Sequence, residues 1–145
     1  RKMKKQAQSG DNVILHFTGK NEAEEVFATT QGEQPVELTL GEGKVIPGVE
    51  NGIIGMQIGE SRTFEVPPED AFGERRGELV TTIKRDDFPE SIHPSVGQQL
   101  RVRVEGDKLT DVRVTRIEAD DVTLDANHPL AGQTLKFEVD LVDIK

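Results

Sequence analysis

The side chains that most often carry chemistry are scattered in this sequence. His16, His93 and His128 lie far apart, and none has a ligating or acid–base partner at i+3 or i+4. Asp86-Asp87 and Asp120-Asp121 are adjacent carboxylates rather than facing ones, and they read as solvated turn residues, not as a general acid and base. No H-E-x-x-H pair, EF-hand loop, Walker A loop or G-x-S-x-G elbow occurs. There is no cysteine, which excludes thiol nucleophiles, disulfides and Cys-ligated zinc. An enzyme made from these residues works without a nucleophile, a metal or a cofactor. What it has instead is apolar shape.

All six aromatic residues are Phe, and scarce aromatics tend to gather where a large apolar surface is needed. The 145-residue chain is 34% hydrophobic and 31% charged, which fits a folded domain or two small ones. A formal charge of -9 argues against nucleic acid as the main partner, because phosphate binding needs excess Lys and Arg. The one basic cluster is Arg1, Lys2, Lys4 and Lys5, within a stretch without apolar periodicity that reads as a polar leader over 1–9. No apolar run approaches the ~20 residues that span a bilayer. These features predict a cytoplasmic protein, monomeric and independent of membranes.

The elements that would shape such a surface are mostly strands. Val13, Leu15 and Phe17 alternate with more polar neighbours, as do Val36, Leu38 and Leu40. Thr63 to Val66 forms a short strand that Pro67-Pro68 must end. Further alternation covers Leu100, Val102 and Val104, then Val112 and Val114, then Val122 and Leu124. In the last run, Leu135, Phe137, Val139 and Leu141, the phase slips to Val142 and Ile144, which predicts a bulge near Leu141. One segment is helical: Val49, Ile53, Ile54 and Met56 follow Pro47, a residue suited to a first turn. Gly48, Gly52 and Gly55 make it a weak helix that needs a sheet to hold it. From Gly73 to about Asp121 the text is more charged, with a hairpin signal at Glu105-Gly106-Asp107, and reads as its own small β unit.

Several of these segments match a family in order. His16-Phe17-Thr18-Gly19, Leu40-Gly41-Glu42-Gly43-Lys44-Val45-Ile46-Pro47-Gly48-Val49-Glu50, Gly55-Met56-Gln57-Ile58-Gly59-Glu60 and Pro67-Pro68-Glu69-Asp70-Ala71-Phe72-Gly73 resemble the successive motifs of FKBP-type peptidyl-prolyl cis/trans isomerases. Asn127-His128-Pro129-Leu130-Ala131-Gly132 is similar to the hallmark of their SlyD- and SlpA-like branch. Without SlyD's His/Cys-rich metal-binding tail, the resemblance is nearest SlpA-like proteins or archaeal FKBPs. It implies an α+β, mainly antiparallel fold: an FKBP half-barrel sheet wrapped on a short helix, with a second small β-rich domain inserted in the flap. The implied catalytic domain is 10–75 plus 122–145, and the inserted substrate-binding domain 76–121.

The resemblance also implies a site. Phe17, Phe27, Val45, Ile46, Phe72 and Phe137 would be the catalytic pocket, and the Ile46 backbone N–H would bind a substrate carbonyl. Val36, Val49, Ile53, His128 and Leu130 would assist binding, and Leu79, Ile83, Phe88, Leu100 and Val102 of the insert would grip unfolded or proline-containing polypeptides. Any sheet packed on a helix buries most such residues, so a plain core role is the competing reading. Three positions depart from the family. Ala28 stands where an Asp usually follows the pocket Phe, Val49 where Trp often forms the floor, and Phe72 where a flap Tyr is usual. Their loss implies weak or no binding of rapamycin-type macrolides. The alternative function is an FKBP-fold holdase or adaptor with little isomerase activity.

Overall fold

The computed structural model describes residues 5–104 and 108–145. Arg1, Lys2 and Lys4 of the basic cluster, and the Glu105-Gly106-Asp107 turn signal, lie outside the described residues. The chain divides into two compact units, one running up to Glu74 and resuming at Leu130–Lys145, the other spanning Arg75–Pro129.

In the first unit, β1 (Asn12–Lys20), β2 (Val26–Thr29), β3 (Val36–Thr39), β4 (Ser61–Val66) and β9 (Leu135–Ile144) form a five-stranded sheet in the order β2-β1-β9-β4. β3 also pairs β1, along Asn12 to Leu15, while β2 takes Thr18 to Lys20. Every pairing is antiparallel. Leu15 opposes Leu141 but Ile14 opposes Asp143, so Val142 is an extra residue on β9. This is the bulge that the phase slip required, and it leaves Val142 exposed while turning Ile144 back inward.

Across this sheet lies α1 (Pro47–Ile53). Its glycines, poor helix formers, are what allow it to approach β4. A Cβ on Gly48 would stand 2.2 Å from Val66 Cγ1, and one on Gly52 would stand 2.4 Å from the Phe64 ring. Val49, Ile53 and Met56 are buried, but Ile54 is 40% exposed and does not share their face. Gly55, at φ 91, follows the last turn in the left-handed region.

The expected polar leader is corrected here. Ala7 is 0% exposed within the core, its N–H donates to Met56 O, and its carbonyl accepts from the Gly55 N–H. A single small apolar residue among polar neighbours carries no periodicity, so this attachment leaves no mark in the text.

The second unit is a four-stranded antiparallel sheet in the order β5-β8-β7-β6, made of β5 (Val80–Lys84), β6 (Gln99–Val104), β7 (Lys108–Glu118) and β8 (Asp121–Asp125). Val112, Val114, Val122 and Leu124 are its buried centre, with Ile83, Phe88, Leu100 and Val102 packed against them. Val122 and Leu124 were expected in the catalytic domain. They lie instead on β8, between β5 and β7. Alternation marks a strand with one buried face but is blind to which sheet takes it.

At the ends of this unit, the Asn127 side chain accepts from the Arg76 N–H (2.8 Å) and donates to the Arg76 carbonyl (3.0 Å). It also donates to Asp125 Oδ1 at 2.7 Å, and Arg75 pairs with Asp125 Oδ2 at 2.7 Å. Burial pushes the Asp125 carboxyl up, but the hydrogen bonds from Asn127 and the Arg75 charge outweigh it and hold the group below its ordinary range.

Candidate functional site

The first unit holds a cavity of about 520 Å³. Its walls come from β1 (Leu15, Phe17), β2 (Phe27), β3 (Leu38), the segment Gly43 to Pro47, Val49 of α1, Phe72 and Phe137 of β9. Leu15 and Phe17 share one sheet face because strand side chains alternate. Phe72 follows the Pro67-Pro68 stop, after the short 3₁₀ turn Pro68–Asp70.

The aromatic wall depends on a residue with no side chain. Gly19 lies opposite Phe137, and a Cβ there would meet Phe27 Cζ at 2.7 Å and Phe137 Cε1 at 2.8 Å. The vacant volume lets the Phe27 ring stand edge-on to Phe137, with centroids 5.9 Å apart and planes at 86°. Phe137 in turn stacks on Phe64 at 6.1 Å.

The rim is positioned from α1. The Glu50 carboxylate accepts the Gly41 N–H at 2.7 Å, tying the start of the loop to the helix. Ile46 is the N-cap residue, in extended geometry at φ -63 and ψ 148, and its carbonyl accepts from Val49 and Glu50. Its own N–H donates to no protein acceptor among the described residues. Behind β1, buried Thr30 Oγ1 accepts the Phe17 N–H at 2.9 Å and contacts His16 Nδ1 at 2.9 Å. This is a structural setting for His16. Among the described residues the cavity lining carries a single charge, Lys44, whose partner Glu42 is 3.5 Å away.

The family model for FKBP-type peptidyl-prolyl cis-trans isomerases matches residues 3–142 of this chain. The chain belongs to this family. It is 31% identical over 144 residues to the FKBP-type 16 kDa peptidyl-prolyl cis-trans isomerase of Escherichia coli K12, covering 98% of this chain and 96% of that protein. It is 34% identical over 127 residues to the FKBP-type peptidyl-prolyl cis-trans isomerase SlyD of Treponema pallidum, covering 88% and 72%. Against the short-type peptidyl-prolyl cis-trans isomerase of Methanocaldococcus jannaschii it is 33% identical over 113 residues, covering 77% and 69%. Among the described residues no helix is long and apolar enough to cross a membrane.

In this FKBP-type chain the cavity brings together Phe17, Phe27, Val45, Ile46, Phe72 and Phe137, with Val49. It does not gather every residue named for the site. Ile53 is 0% exposed and does not line the cavity, Val36 and Leu130 pack against the core without lining it, and His128 belongs to the second unit. A motif names positions near a site, whereas a helix turn decides which of Val49 and Ile53 reaches the opening. Leu15, Leu38, Gly43, Lys44 and Pro47 line the cavity without having been singled out. Leu15 and Leu38 were in phase with named strand residues, which was the available signal.

The second unit has an apolar groove of about 480 Å³ lined by Leu79, Ile83, Val102, Val112 and Leu124, among others. Phe88 and Leu100 support its core but do not line the groove.

Proposed function

We propose that this isomerase binds an X-Pro segment in the cavity of its first unit and rotates the prolyl amide there, while the second unit gathers unfolded polypeptide. The observation that carries the reading is an apolar, aromatic-walled cavity whose rim residue Ile46 has an uncommitted backbone N–H among the described residues.

Resonance stiffens an amide, with a rotation barrier of ~18–20 kcal/mol. Twisting removes the resonance and makes the amide less polar. Walls of Phe and Val that exclude water therefore favour the twisted form over the planar one, and every ~1.36 kcal/mol of that difference gives a tenfold rate. No proton transfer or covalent step enters. The Ile46 N–H would hold the substrate backbone. A neutral hydrogen bond contributes about 1 kcal/mol net, so this contact registers the substrate and the apolar walls provide the preference.

For the second unit, support comes from the groove beside Leu79, Ile83 and Val102 and from β5 and β6, the outer strands of its sheet. Outer strands can pair with an extended chain and apolar grooves can take its side chains. Ala28, Val49 and Phe72 remove polar contacts or area, so rapamycin-type macrolides bind weakly.

The test is proline-limited refolding of a model protein beside isomerisation of a short X-Pro peptide. Phe72→Ala should slow both. Leu79→Ser with Val102→Ser should slow refolding while sparing the short peptide. Suppressed aggregation with neither reaction accelerated would sink the isomerase reading and leave a holdase.

A further inference from the structure

We infer that Lys44 sets a charge preference in this isomerase, favouring substrates with an acidic residue beside the proline over those with a basic one. The inference rests on the reading of the cavity as the X-Pro site. Lys44 is the single charged residue lining that cavity among the described residues, and its side chain is 66% exposed. It sits two residues before Ile46, on the segment that forms the rim. A peptide whose proline enters the apolar walls carries its flanking side chains past this ammonium.

Two opposing effects decide the sign. The chain's charge of -9 repels acidic ligands at long range. That repulsion is damped beyond a Debye length of about 8 Å at physiological salt, whereas a contact at the rim is much closer. Apolar walls on one side also leave the local field less screened than in open water. Nor is Lys44 firmly engaged elsewhere. Its Nζ is 3.5 Å from Glu42 Oε1, longer than the ~2.7–2.9 Å of a tight charged hydrogen bond, and the Glu42 side chain is 52% exposed. An exposed pair of this kind is weak and readily exchanges its partner.

The experiment uses the full chain and three peptides that differ only before proline, carrying Glu, Ala or Lys, with kcat/KM for each variant referred to its own Ala peptide. Lys44→Gln should lower the Glu:Lys ratio of kcat/KM by about two- to fivefold, the range of an exposed ion pair, and Lys44→Glu should lower it further. Glu42→Gln should raise the ratio. The wild-type preference should shrink at high salt and fade below about pH 4, as the peptide Glu takes up its proton. A merely structural Lys44 would change all three peptides alike. A ratio that is the same in wild type, Lys44→Gln and Lys44→Glu overturns the inference. Phe27→Ala separates this from failure of the cavity reading, since unchanged rates on every peptide in that variant would reject the site itself.

Discussion

Gly19 faces Phe137 across the β1–β9 ladder, and the Cβ it lacks would fall 2.8 Å from Cε1 of that ring. Phe137 cannot withdraw easily, because it is buried and flanked by Phe27 and Phe64. Gly19→Ala should therefore cost about 1–3 kcal/mol, the usual range for overpacking a core. Displaced walls should also lower kcat/KM on a proline peptide about tenfold or more, since small misplacements at a site are costly. Urea unfolding and a peptide assay check the two effects. An unchanged kcat/KM would remove the aromatic wall from the mechanism.

Gly48 and Gly52 pose propensity against packing. Alanine gains about 1 kcal/mol over glycine inside a helix. Against this, the new Cβ would lie 2.2 Å from Val66 Cγ1 at position 48 and 2.4 Å from Phe64 at position 52. Packing should win, so Gly48→Ala and Gly52→Ala are expected to destabilise by up to about 2 kcal/mol net. Thermal or urea denaturation would show a lower midpoint, and a raised one would mean that β4 yields without cost.

Asn127 holds both backbone groups of Arg76. Asn127→Ala leaves them to water, because their site is exposed, but it also strips a donor from the buried Asp125 carboxylate, so it should cost about 2–3 kcal/mol. The Arg76 amide should then exchange with solvent faster, as hydrogen–deuterium exchange would reveal. Unchanged protection would deny the clasp any energetic role.

Asp125 gives the second unit an acid-sensitive element. Its carboxyl is held below the ordinary value by Asn127 and Arg75 against the opposing effect of burial. A lowered folded-state pKa means that its stabilisation is complete above the unfolded value, about pH 4, and is lost as pH falls through the folded value. Asp125→Asn should flatten the acid limb of stability below about pH 4 while reducing stability at neutral pH. Acid titration of urea midpoints measures both, and an acid limb identical to wild type would exclude Asp125 as its source.

Phe72 lines the cavity, and a hydroxyl on its ring should strengthen the weak macrolide binding proposed above. Phe72→Tyr adds one hydrogen-bonding group at the cavity wall, and a net hydrogen bond of about 0.5–1.5 kcal/mol corresponds to about two- to tenfold in affinity. Titration calorimetry with rapamycin should show this tightening in the variant. No tightening would mean that the absent hydroxyl at Phe72 does not limit binding.

Period-two alternation was enough to locate most strands, Pro67-Pro68 to end β4, and the slip after Leu141 to place the bulge at Val142. These are local consequences of backbone geometry, so neighbouring residues suffice to specify them. Phe17, Phe27, Val45, Ile46, Phe72 and Phe137, the residues that the resemblance named for the pocket, all line one cavity. What the text could not hold was partnership. That β8 joins the second sheet, that Ala7 seals the first core, and that Gly19 clears room for two rings all depend on residues distant in sequence. The same is true of Ile53, whose helical spacing puts it on the apolar face but whose complete burial, against 8% exposure at Val49, is set by the sheet it meets. Steric fit and strand choice are properties of pairs of surfaces, and they come into being only when the chain has brought those surfaces together.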